Sequence, residues 1–201
     1  MGYDIHITRA VPFYLDHRYP IAASEVRSLV RDTADLVIPD DQAAGSFQIL
    51  VGDDSWLAFT GGRLHTKNPG DPMIRRMIEI ATALDAWVAG DEDEIYTWEN
   101  GEVTSDEADL PEITPITLDR PVTAEEWAAH VAATPDLDWF TRVEAVLPSG
   151  RRWIDCPPVA CWTGHPGGRP VPFFVDEAGD GAIEVEEPDD LTLARMRLLF
   201  V

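Results

Sequence analysis

Two blocks of residues recur in the same order in the two halves of this chain, and such a repeat restricts the fold to two copies of one supersecondary unit. In the first half, Pro20-Ile21-Ala22-Ala23-Ser24-Glu25 leads to Val30, Thr33, Asp35 and Leu36. In the second, Pro121-Val122-Thr123-Ala124-Glu125-Glu126 leads to Val131, Thr134, Asp136 and Leu137, all at one constant offset. Further on, Gly62, Leu64, Pro69, Asp71, Ile74, Arg76 and Met77 align without a gap on Gly181, Ile183, Pro188, Asp190, Leu193, Arg195 and Met196. The second offset is longer, so insertions lie between the blocks. Two copies are too few for a solenoid. The expected fold is α+β, with two related strand-helix-strands-helix units, antiparallel-rich sheets, helices packed on one face, and a pseudo-twofold relation.

Local chemistry agrees with this plan. Tyr3 to Arg9 alternates apolar and polar residues as a half-buried strand does, and Ile113 to Leu118 is its expected counterpart. Thr123 followed by Glu126 is a capping box, which starts a helix reaching about Ala133, and Ala22 to Thr33 is its less well capped relative. Trp56 to Phe59, Gly61-Gly62 and Arg63 to Lys67 read as a hairpin, because glycine supplies the positive φ of a tight turn. Phe173 to Asp176, a turn ending at Gly181, and Ile183 to Glu186 repeat the pattern. Pro69 and Pro188 then precede helices of about Asp71 to Leu84 and Asp189 to Leu199. In the first helix, Met73, Ile74, Met77, Ile78 and Ala81 share one face.

Between the halves, Asp85 to Asp119 contains no Lys or Arg and carries the densest acidic run, beginning Asp91-Glu92-Asp93-Glu94. Ile95, Tyr96 and Trp98 indicate a strand within it; the later part reads as a linker. The expected organisation is therefore an N-terminal unit over 1–100, an acidic linker over 101–112 and a C-terminal unit over 113–201. Cys156-Pro157-Pro158 and His165 to Pro170 mark a second irregular region. The tryptophans, among them Trp127, Trp139, Trp153 and Trp162, read as core.

The chain carries 37 acidic residues against 15 basic ones, a formal charge of -22. Such a field opposes nucleic acid and anionic lipid, because Lys and Arg supply most affinity for phosphates. It attracts a basic protein. With 201 residues, 45% of them apolar, the chain can fill a core without staples, and its two cysteines are too few for a disulfide framework. Neither a secretory signal nor an apolar run long enough to span a bilayer is read in it, so a cytoplasmic location is expected.

The candidate chemistry is sparse. His6 beside Asp4 is an acid/base pair type, since alternate strand residues share a face. Cys156, Cys161 and His165 are metal-ligand types, but their spacing matches no zinc knuckle, and neighbouring acids oppose a reactive Cys161 thiolate. Asp91 to Glu94 lacks the alternating ligands and central Gly of an EF-hand. Gly164 to Gly168 lacks the ending of a phosphate-binding loop. No metal or cofactor is expected, and no motif specifies an enzyme. The favoured site is a docking surface for Arg and Lys formed by Asp91, Glu92, Asp93, Glu94, Glu99 and Glu102, with Tyr96 and Trp98 as aromatic anchors. Asp4, His6, Cys161 and His165 form the alternative polar site.

The opening Met1-Gly2-Tyr3-Asp4-Ile5-His6-Ile7-Thr8-Arg9 resembles the start of a group of uncharacterised bacterial proteins beginning Met-Ser/Gly-Tyr-Asp-Leu/Ile-His-Ile-Thr. The group is also similar at Pro121 to Trp127, at Lys67 to Met77 and at Ile80 to Leu84, about a third of the chain in all. Here the Glu-Glu-Trp and Lys-Asn-Pro segments belong to different halves. Some members of the group look like immunity proteins of bacterial toxin systems, and the resemblance carries no catalytic residue. It implies an immunity-type inhibitor of a basic, nuclease-like toxin. The alternatives are a small enzyme or ligand-binding protein with a site between the halves, and a housekeeping protein of a salt-adapted cell.

Overall fold

The computed structural model describes residues 2–39, 43–116, 122–175 and 182–199. The chain forms two compact units: Met1–Leu110 with Glu144–Ile154, and Pro111–Val143 with Asp155–Val201. Each is built on one antiparallel sheet with its helices, so the α+β expectation holds.

In the first unit the strands are β1 (Asp4–Thr8), β2 (Leu36–Val37), β3 (Ser46–Val51), β4 (Ser55–Thr60), β5 (Arg63–Lys67), β6 (Trp87–Gly90), β7 (Glu94–Glu99) and β8 (Glu102–Glu107). They lie in the order β2-β3-β4-β5-β1-β6-β7-β8. Helices α1 (Ala23–Arg31) and α2 (Asp71–Leu84) share a core with one face of this sheet, through Val26, Met73, Ile74 and Met77 against Ile5, Ile7, Leu57 and Leu64. Phe47, Ile49 and Val51 alternate inward along β3 as period-2 patterning requires. Strand β1 departs from its half-buried expectation, because Ile5, His6, Ile7 and Thr8 are all buried. Its polar face lies under the segment that follows it, where Phe13 stacks on the His6 ring at 4.0 Å.

The second sheet and its helices comprise β9 (Ile113–Ile116), α3 (Ala124–Ala133), β10 (Leu137–Leu147), β11 (Gly150–Trp162), β12 (Val171–Val175), β13 (Ile183–Glu186) and α4 (Asp190–Met196). All of these belong to the second unit except the stretch Glu144–Ile154 of β10 and β11, which belongs to the first. Its sheet order is β10-β11-β12-β13-β9. Trp127, Phe173, Ile183, Val185 and Met196 centre its core. The Thr123–Glu126 capping box forms as expected: the Glu126 amide donates to Thr123 Oγ1 at 3.2 Å, and the Thr123 amide donates to Glu126 Oε2 at 3.0 Å.

The five strands β9–β13 are connected in the same order as β1–β5, with a helix after the first strand and another after the last. The aligned side chains make the same bonds. Arg76 grips Asp35 through two hydrogen bonds of 3.0 and 2.7 Å, and Arg195 grips Asp136 through two of 3.0 and 2.6 Å. The carbonyls of Asp35 and Asp136 each accept a backbone amide at 2.9 Å, from Gly52 and Thr163.

Some expectations are corrected. The stretch 101–112 is not simply a linker, since 102–107 is β8 of the first sheet. Cys156-Pro157-Pro158 lies within β11 rather than in an irregular segment; proline's fixed φ suits an extended chain, and only a ladder donor is lost. Trp127 and Trp162 are core, but Trp139 and Trp153 are 43% and 48% exposed. Pro121 and Gly181 of the repeat, Leu118 and the turn expected after Asp176 lie outside the described residues. Among the described residues, no helix is long and apolar enough to cross a membrane.

Candidate functional site

The acidic run folds into the β7–β8 hairpin. Asn100 and Gly101 form its two-residue turn with φ of 54° and 90°, the left-handed pair that matches strand twist. Flanking residues of such a turn exchange both ladder bonds, and pairs then alternate along the strands. Glu99–Glu102, Thr97–Thr104 and Ile95–Asp106 are therefore the bonded pairs, whereas Val103, Ser105 and Glu107 direct their backbone N–H and C=O away from β7. Strand β8 ends the sheet, and among the described residues no backbone group pairs with those groups along its edge.

Like charges face each other across this hairpin at Glu94–Glu107 and at Glu99–Glu102, a pairing that destabilises a sheet. The acidic side chains do different things. Asp91 is used internally: its carboxylate accepts the Asp4 amide at 2.8 Å and bonds His6 Nε2 at 3.1 Å. Glu94 accepts the Tyr96 hydroxyl at 2.8 Å and the Glu92 amide at 3.2 Å. Burial, then Glu94, pushes the Tyr96 phenol up to about 12. Asp93 occupies the turn before β7 with φ 63°. Glu92, Glu99 and Glu102 are exposed, as are Asp106 and Glu107 of β8.

Trp98 is 38% exposed beside a groove of about 570 Å³. Asp71, Pro72, Arg75, Arg76 and Glu79 of α2 form one wall; Trp98, Gly101, Glu102 and Val103 form the other. The Arg75 guanidinium stacks over the Trp98 ring at 4.6 Å and reaches Glu79 at 3.5 Å. Arg76 is held by Asp35 and Glu79. Both basic side chains of the groove are thereby paired within the unit, and the outward field along β8 is acidic.

In the polar cluster around β1 the His6 ring is buried, whereas Asp91, Asp4 and His65 keep partial exposure. His6 is 4% exposed, and its partner is Asp91 rather than Asp4, whose carboxylate pairs with Lys67 at 3.3 Å. His6 and His65 oppose each other across β1 and β5 with ring centroids 6.1 Å apart, and Arg63 pairs with Asp16 beside them. Burial lowers the pKa of His6 from 6.5, with Asp91 opposing the shift; burial and then His6 lower that of His65. Burial alone pushes the Asp91 carboxyl up, but the Asp4 amide and His6 hold it below 3.8. A neutral His6 bonded to an ionised Asp91 donates from Nε2, leaving a buried Nδ1 lone pair without a partner.

Groups with depressed histidine pKa values contribute stability that is full above 6.5 and declines as pH falls towards their folded values; Asp91 adds a further loss below 3.8. Thermal melts from pH 8 to 4 should show Tm beginning to fall below about 6.5, and a His6→Gln/His65→Gln variant should flatten that first decline. An unchanged slope in the variant would contradict this assignment.

In the second unit, the Cys161 thiol is buried against the Val159 carbonyl, and burial, then Cys156, pushes its pKa up to about 12. It is no nucleophile at neutral pH. His165 bonds Asp189 at 2.9 Å instead, and Asp189 caps α4 through the Thr192 amide. That capping, with His165, holds the Asp189 carboxyl down at about 2. Cys161 and His165 thus belong to different local structures. Among the described residues, no three His, Cys, Asp or Glu side chains are grouped to hold a metal.

Asp106 and Glu107 on β8, read in the sequence as part of the acidic stretch but left out of the expected docking surface, join its residues on the hairpin, and Arg75 in the groove is not singled out by sequence. The Asn100-Gly101 dipeptide was the available signal, being the commonest hairpin turn of this type. Comparison with protein-family models, with curated proteins and with solved structures found no match.

Proposed function

We propose that this protein is an acidic binding module that captures a basic protein in the cytoplasm, in the manner of an immunity-type inhibitor that covers the working surface of a nuclease-like toxin. The observation that carries this reading is the β7–β8 hairpin, which sets exposed carboxylates along a sheet edge, opposite one another and without a basic residue among them. An arrangement that repels itself is relieved by a cationic partner. The shared five-strand plan supports the same location. If the two units descend from one duplicated ancestor, β6, β7 and β8 are what the first unit has gained beyond it, and the acidic edge lies in that addition. An enzymatic role at Asp4 and His6 gains no support from a histidine so deeply covered.

The test is co-purification from the native host followed by titration with the purified partner. A stoichiometric basic protein should be retained at low salt and bound more weakly as salt rises. Reversing Glu99, Glu102, Asp106 and Glu107 to lysine should weaken its affinity by roughly 100-fold, as expected for several lost charge contacts. Affinity unchanged by both salt and reversal would overturn the reading.

A further inference from the structure

We infer that the partner binds by adding an extended strand to the β8 edge, with basic residues at alternate positions and one bulky apolar side chain seated beside Trp98. The inference rests on the proposed capture of a basic protein and specifies how it is achieved. Three observations converge on it. The backbone N–H and C=O of Val103, Ser105 and Glu107 face away from β7 at the end of the sheet, a six-residue template for strand addition. The sheet's other edge, β2, has only two residues and offers no such template. The groove of about 570 Å³ opens on the same side of β8 as Val103, next to the half-exposed Trp98.

Charge selects the occupant. A second copy of this chain pairing edge to edge would set Glu102, Asp106 and Glu107 against their own kind, which costs stability. A strand carrying Lys or Arg opposite Glu102 and Asp106, which share one face, satisfies both side chains at once. The residue opposite Val103 then points to the other face, where the groove can take a side chain such as leucine or tryptophan.

The test uses the full chain and a synthetic eight-residue peptide of alternating lysine and valine. Ser105→Pro removes one outward-facing N–H, keeps every charge, and breaks no bond to β7; proline is tolerated on such an edge. The variant should melt as the wild type does but bind the peptide at least tenfold more weakly. Hydrogen exchange on the wild type should independently show slower exchange at Val103, Ser105 and Glu107 when the peptide is present, a readout that stands even if the variant folds poorly. Unslowed exchange at those amides would overturn strand addition. If Ser105→Pro binds normally while the fourfold lysine reversal does not, acidic capture stands and strand addition falls. If neither variant changes binding, both fall. A wild-type dimer in sedimentation, abolished by Ser105→Pro, would assign the edge to a second copy instead.

Discussion

Replacing Arg9 with alanine should cost about 2–3 kcal/mol of folding free energy, less than a fully buried broken ion pair because Glu25 is partly exposed. The guanidinium is 9% exposed and joins three elements. It grips Glu25 of α1 at 2.7 and 3.2 Å, and donates to the Leu84 carbonyl at the end of α2 at 2.9 Å. It also reaches the Pro20 carbonyl at 3.4 Å. Glu25 in turn accepts the Ala22 amide at 2.8 Å, the glutamate half of a capping box whose other half is missing because Ala22 has no side-chain oxygen. Truncation therefore leaves a carbonyl without its donor and loosens the entry to α1. Urea unfolding measures the loss, and a change below about 0.5 kcal/mol, the range of ordinary surface substitutions, would show that the three-way junction is not what orients these helices.

The second large effect is expected at Gly62. It sits in the β4–β5 turn with φ 92°, and its carbonyl accepts the Ile21 amide at 2.8 Å. A Cβ placed there would lie 2.5 Å from Pro20 Cβ and 2.9 Å from Pro20 Cα, the latter a backbone atom that cannot swing aside. Gly62→Ala thus meets an unfavourable φ, about 1 kcal/mol or more, and overpacking, about 1–3 kcal/mol. A total of roughly 2–4 kcal/mol is expected from these sources, read as a lower urea midpoint with an unchanged slope. Gly101→Ala is a useful comparison, since its φ is also positive at 90° but nothing lies within 4 Å of the added carbon. Gly101→Ala should therefore be the milder change, and equal losses would show that contact with Pro20 contributes nothing.

These two sites explain why the first repeated block was legible. Pro20 to Glu25 is read in the sequence as a helix entry, and the structure makes it the place where a turn, an arginine and a helix cap meet. The aligned Arg76 and Arg195 were visible only as letters in register; their bonds to Asp35 and Asp136 needed the fold. Strand β8 was missed because Glu-Val-Thr-Ser-Asp-Glu offers one apolar residue and no alternation, so its strand character comes from pairing with β7 across Asn100-Gly101. His6 was paired with the wrong carboxylate for a related reason. Nearness along a strand favoured Asp4, whereas the turn after β6, distant in sequence, brings Asp91 to the ring. Trp139 and Trp153 show the limit of composition, which counts aromatic residues but does not say which face they occupy.

The most direct measurement compares two variants of equal net charge. One reverses Glu99, Glu102, Asp106 and Glu107 to lysine, and the other reverses the exposed Asp32, Asp53, Asp54 and Glu125. Binding of the lysine-valine peptide is titrated at low and moderate salt for both. The first variant should lose binding at least tenfold more than the second, because the hairpin rather than the overall field holds the peptide. Equal losses in the two variants would contradict this, leaving the acidity a property of the whole surface.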